Sequence, residues 1–132
     1  MRTRTIKLKP SEKDEQMALA AWLEAMNICY CHIPNQRLVN HLPNKGARIS
    51  YMRSLYRQGF QKGFPDLLIF DPPPAASYRG VAIELKVDGG STTLEQRVWL
   101  DSLEARGWLT SVKYGADEAI RWLKDELGYG KR

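Results

Sequence analysis

Between Gly63 and Lys86 lie two short apolar runs, each carrying a charge where a core would have none. The first reads Gly-Phe-Pro-Asp-Leu-Leu-Ile-Phe and the second Val-Ala-Ile-Glu-Leu-Lys, with the proline-rich stretch Asp71 to Gly80 between them. Runs of this length bounded by turn residues read as neighbouring strands of one sheet. On such a pair Asp66 and Glu84 can face one another. Glu84 and Lys86 are two apart, so they project from the same face while Leu85 points the other way. Burying charges among Val, Ile and Leu is expensive unless they are paired or hold a metal. The three groups are therefore expected to share one pocket.

The rest of the chain supplies helices around these strands. Pro10 closes a basic lead, residues 1–10, expected to be a tail. Ser11 is a good N-cap, followed by Glu12 and Asp14 in a first turn where the macrodipole favours acids. That helix should run to about Met26, with Leu19, Trp22, Leu23 and Met26 as its buried stripe. Ile28 to Ile33 reads as a strand, and residues 36–47 as irregular. A second helix is expected over Ala47 to Gln58, with Ile49, Met52, Leu55 and Tyr56 on its packing side. Thr92 with Glu95, or Thr93 with Gln96, has capping-box spacing for a helix from about Leu94 to Arg106. A strand over Trp108 to Tyr114, an amphipathic helix over Ala116 to Leu127 and a frayed tail, Gly128 to Arg132, complete the chain. Strands flanked by helices on both sides predict an α/β fold with a mixed central β-sheet, a single domain over residues 11–127.

Composition narrows the setting. At 132 residues the chain can bury one core. It has no apolar run of membrane-spanning length and no secretory leader, so a cytoplasmic location with no membrane partner is expected. Cys29 and Cys31 are too few for a zinc site or a disulfide framework. The net charge is +5, and its distribution matters more. From Ala25 to Pro65 there is no acid, whereas Arg37, Lys45, Arg48, Arg53, Arg57 and Lys62 all fall there. A basic block without interleaved acids suits a polyanion. Arg53 and Arg57 are four apart and share a helix face suited to phosphates.

Asp66, Glu84 and the backbone carbonyl of Leu85 offer hard oxygen ligands to a cation such as Mg²⁺ or Mn²⁺. Lys86 beside them could orient a water or balance the charge of a phosphate. Glu12 reads equally as a capping-turn acid and as a functional one. His32 and His41 do not make an HNH-type site, which needs further ligands downstream.

Ser-Glu-Lys-Asp-Glu-Gln at 11–16, Pro34-Asn35, Gly-Phe-Pro-Asp at 63–66, Ile-Glu-Leu-Lys at 83–86 and Leu-Glu-Gln at 94–96 together resemble the VRR-NUC family, virus-type replication-repair nucleases within the PD-(D/E)xK superfamily. The resemblance runs from Ser11 to about Leu127 and implies a restriction-endonuclease-like fold, of the small standalone type found in phages and bacteria. It implies that Asp66 and Glu84 are metal ligands, that Lys86 orients water, and that Gln96 lies near the active site. It also places a first-helix acid at the metal: Glu12 with Gln16 beside it, or Glu15 in its stead.

The expected activity is a Mg²⁺- or Mn²⁺-dependent DNA endonuclease acting on branched or structured DNA, in the manner of Holliday-junction resolvases. Arg48, Arg53, Arg57 and Lys62 would contact phosphates. A homodimer is expected, with Tyr51, Leu55 and Tyr56 as an exposed apolar surface. Two other classes stand beside it: a non-catalytic DNA-binding module, which would keep the basic block but carry a degraded motif, and a phage interaction protein, which would show neither salt-weakened binding nor a metal requirement.

Overall fold

A computed structural model describes residues 10–34 and 42–130. The expected basic tail (apart from Pro10), Asn35, the first half of the irregular stretch at 36–47 with Arg37 and His41, and the last two residues lie outside the described residues. Four strands form one sheet in the order β1-β2-β3-β4. They are β1 (Tyr30–His32), β2 (Leu67–Ile69), β3 (Val81–Lys86) and β4 (Leu109–Tyr114). β1–β2 and β2–β3 are antiparallel, and β3–β4 is parallel. The parallel pair requires a crossover, which α3 (Leu94–Glu104) provides. The sheet is thus mixed and flanked by helices, as the sequence predicts.

Alternation along β2 and β3 divides the core into two layers. Leu67, Ile69, Val81, Ile83 and Leu85 pack with Leu19 and Leu23 of α1 (Glu12–Ala25) and with Ala116, Ala119 and Leu123 at the C-terminal end. Leu68 and Ala82 face the other way, onto Leu103 of α3, with Phe64 and Trp108 at the margin. Glu84 and Lys86 have the parity of Ala82, so they project on the α3 side.

Local chemistry sets the helix ends. Ser11 and Asp14 form a reciprocal capping box on α1. Asn44 caps α2 (Lys45–Arg57) through Ala47 N–H at 2.8 Å, which starts that helix two residues earlier than expected. No described residue of α2 is buried, and its expected packing side is only partly covered: Met52 and Leu55 are half-buried, whereas Ile49 and Tyr56 are each 42% exposed. The first-helix stripe likewise stops at Leu23, since Met26 is exposed as the C-cap.

At the C-terminal end, α4 (Ala116–Arg121) does not continue to Leu127 as an α-helix. It passes into a π turn, Trp122–Glu126, closed by Leu127 N–H on the Trp122 carbonyl at 3.1 Å. The described part of the expected frayed tail, Gly128 to Gly130, instead joins the core through Tyr129. Tyr129 is buried, and its hydroxyl donates to the Asp71 carbonyl at 2.6 Å, tying the chain end to the loop after β2. Among the described residues no helix is long and apolar enough to cross a membrane.

Candidate functional site

Strand register brings the carboxylates together. Leu67 stands opposite Ile83 in the antiparallel β2–β3 pair, so Asp66, one position earlier, falls beside Glu84. Both are deeply buried, Asp66 at 4% and Glu84 at 1% exposure. Asp66 Oδ2 accepts the Leu85 N–H at 2.8 Å, so a side chain takes the rung that backbone would otherwise fill at the strand's start. The Asp66 carbonyl is held as well, by Ile33 N–H at 2.8 Å and by His32 Nδ1 at 2.8 Å. A carbonyl only accepts, so that ring nitrogen carries the hydrogen.

Gln96 joins the remaining polar groups. Thr93 and Gln96 make the capping box of α3: Gln96 N–H donates to Thr93 Oγ1 at 3.2 Å, and Thr93 N–H to Gln96 Oε1 at 2.9 Å. The same Oε1 accepts from Lys86 Nζ at 3.0 Å, while Nε2 donates to Glu84 Oε1 at 2.9 Å. The amide has one workable orientation, because an ammonium and a backbone N–H can only donate. Lys86 Nζ also lies 3.4 Å from Glu84 Oε1. Two groups thus serve one oxygen of Glu84. Its other oxygen, Oε2, is buried with no hydrogen-bond partner among the described residues.

These surroundings shift the carboxyls. Burial raises Asp66 above the usual carboxylate range, and the charge of Glu12 adds to it, against the lowering effect of the Leu85 N–H. Burial, then the adjacent Asp66 charge, pushes Glu84 up to about 8 despite Lys86. Two neighbouring carboxyls that both resist ionisation are the signature of a site short of positive charge.

A cleft of about 270 Å³ opens over this cluster. Glu12, Asp66, Lys86 and Gln96 are among its polar lining residues, and Ile33, Phe60 and Phe64 among its apolar ones. Gly63 allows the cleft wall to approach α3. Its φ is +83°, and a Cβ there would come within 2.7 Å of the Glu95 carbonyl carbon and 2.8 Å of Gln96 N. The first-helix acids separate clearly. Glu12 lines the cleft, whereas Glu15 Oε2 accepts the Ala116 N–H at 2.6 Å. The N-cap of α4 is Gly115, which has no side chain to offer, so Glu15 does that work from α1. Gln16, a turn beyond Glu12, has its Nε2 buried with no acceptor among the described residues.

A profile of the VRR-NUC domain matches residues 10–117. The chain belongs to the VRR-NUC domain family. Its architecture is that of the PD-(D/E)xK nuclease superfamily, and this VRR-NUC domain is similar to a solved structure described as "VRR_NUC domain protein". The two are 25% identical, with a TM-score of 0.69, over 92% of this chain and 93% of that one. No curated protein matches the chain.

Within the VRR-NUC domain, no group of three or more His, Cys, Asp or Glu among the described residues is arranged to hold a metal. The donors that fit one are two: the Asp66 carboxylate and the orphaned Glu84 Oε2, both oxygens and both short of positive charge. That set suits a hard dication that keeps much of its hydration, as Mg²⁺ does with one or two carboxylates and substrate phosphates. Arg48, Arg53 and Arg57 are exposed along α2, and none of them lines the cleft. Lys62 is at the cleft and pairs loosely with Glu95 at 3.8 Å. Cys29 and Cys31 are exposed free thiols. Sequence reasoning missed the support of His32 to Asp66, which depends on β1 pairing with β2, and the place of Phe60 and Thr93 in the cleft. The capping-box spacing was the signal for Thr93.

Proposed function

We propose that this VRR-NUC domain is a Mg²⁺- or Mn²⁺-dependent DNA endonuclease that works in the cytoplasm on branched or structured DNA. The observation that carries the reading is the buried Asp66–Glu84 pair, whose Glu84 Oε2 has no hydrogen-bond partner among the described residues, beside a cleft lined by Asp66, Lys86 and Gln96. Asp66 and Glu84 would hold the cation, with the Leu85 carbonyl and Glu12 as further oxygens. A dication there supplies polarisation of the phosphoryl oxygen and a lower pKa for the attacking water.

The chain's own groups do the positioning. Gln96 clamps Glu84 Oε1, so that Oε2 is the oxygen left for the cation. It also fixes Lys86 Nζ, which orients the attacking water and offsets charge building on the phosphate. Gln16 supports Glu12 from the next turn of α1. Arg48, Arg53, Arg57 and Lys62 grip phosphates without reading bases. Symmetric cutting of two strands needs two sites, which a homodimer through Tyr51, Leu55 and Tyr56 would supply.

The test compares supercoiled, linear and four-way-junction DNA with Mg²⁺, Mn²⁺ and Ca²⁺. Wild-type protein should cut with Mg²⁺ or Mn²⁺ and prefer the junction, and Glu84→Ala should bind DNA without cutting it. Full activity of Glu84→Ala in Mg²⁺ would sink the mechanism, and a monomer by light scattering would refute the dimer.

A further inference from the structure

The two phenylalanines of the cleft are not equivalent. Phe64 is held edge-on against Trp99, with centroids 5.0 Å apart and planes at 70°, and it packs on the Leu68–Ala82–Leu103 layer. Phe60 belongs to neither core layer. It follows Gly59, whose φ of +99° turns the chain out of α2, and its N–H donates to the Leu55 carbonyl at 3.0 Å. The helix end therefore fixes where its ring stands. Tyr56 lies behind it, with centroids 5.9 Å apart and planes tilted by 48°. The two rings make an aromatic path from the exposed, arginine-bearing α2 to the cleft over Asp66 and Lys86.

An aromatic ring that lines the same cleft as phosphate-handling groups asks for a ligand with an apolar face within one sugar of a phosphate. In duplex DNA the base faces are covered by stacking, and only sugar and phosphate are presented outward. An unpaired nucleotide presents both the phosphate and a bare base face, and aromatic rings take any base through its π-face. We infer that Phe60 is a stacking platform for an unpaired nucleobase next to a phosphate held over Asp66 and Lys86. The substrate class is then DNA that is single-stranded or splayed at the cleavage position. This rests on the nuclease reading above for the phosphate's place.

The test uses forked DNA with 2-aminopurine at the unpaired position, and a matched duplex, with Ca²⁺ in place of Mg²⁺. Wild-type protein should quench the 2-aminopurine. Phe60→Leu, which keeps an apolar side chain, should lose the quench and bind the fork about 5- to 100-fold more weakly. Its duplex affinity should stay within about twofold, and Phe60→Trp should restore both signals. An unchanged quench in Phe60→Leu, or equal losses on fork and duplex, overturns the proposal. So does loss of self-association with DNA affinity unchanged, which assigns the rings to a protein contact. Wild-type protein that stacks the base yet cuts no DNA in Mg²⁺ supports the platform and defeats the nuclease reading alone. Wild-type protein that cuts, with a Phe60→Leu variant that keeps its fork preference, defeats the platform alone.

Discussion

β2 buries all of Leu67–Ile69, and β3 buries Val81 through Leu85, whereas α2 buries none of its 13 residues. The first region carries the acidic cluster and the second carries Arg48, Arg53 and Arg57. Groups that must hold a small cation and a reacting phosphate need sub-ångström placement, which close-packed strands provide because they have few other ways to sit. Groups that follow a long polyanion need reach, and charge on an exposed helix acts over a Debye length of about 8 Å without a fixed contact. The difference teaches where this chain invests its packing.

The widest gap between the regions should appear in stability. Leu123→Ala removes a fully buried side chain beneath β3 and should cost about 2–5 kcal/mol in urea unfolding. Ile49→Ala on α2 should change stability by no more than about 0.5 kcal/mol. A cost of about 2 kcal/mol at Ile49 would break the comparison, because it would mean that α2 is anchored after all.

Within the packed region the comparison can be sharpened at Gln96. Gln96→Ala removes the amide that joins Glu84, Lys86 and the start of α3, and should lower activity or metal affinity about 10- to 100-fold, the usual cost of losing a group that orients ligands. Gln96→Glu is the informative companion. A third carboxylate beside Glu84 keeps the shape and reverses the charge logic, so it should not rescue.

The buried acids also predict a pH dependence in metal-free protein. An unfolded Glu84 ionises near 4.5, while the folded one holds its proton up to about 8. Between those values the folded state binds more protons, so stability should fall as pH rises across that window. Asp66 is shifted in the same direction. Glu84→Gln should flatten the slope, measured by thermal melts at several pH values in EDTA. An equally steep slope in Glu84→Gln would place the titration elsewhere.

Much of the packed region was legible in the sequence because it obeys a period of two. A spacing of two put Glu84 and Lys86 on one face, adjacent strands let Asp66 face Glu84, and capping-box spacing, at Thr92–Glu95 or Thr93–Gln96, marked the start of α3. What was not legible depends on pairing between distant segments. Glu15 and Glu12 are indistinguishable by spacing, and only the contact with Ala116, 101 positions away, draws Glu15 off to cap α4. Tyr129 lies past a glycine in a short polar end that reads as frayed, and its burial depends on the loop at Asp71. The apolar residues of α2 matched a packing stripe by period, yet a period cannot say whether anything lies opposite.

The central claim is that Asp66 and Glu84 form a cation site, and calorimetric titration with Mn²⁺ tests it without relying on cleavage. Wild-type protein should bind Mn²⁺ with release of protons, seen as a buffer-dependent heat, because the cation displaces what the raised carboxyls hold. The Asp66→Asn, Glu84→Gln double variant should lose that binding and that proton release, while Arg53→Ala keeps both. Mn²⁺ binding of unchanged affinity in the double variant, or none in wild-type protein, would contradict the account.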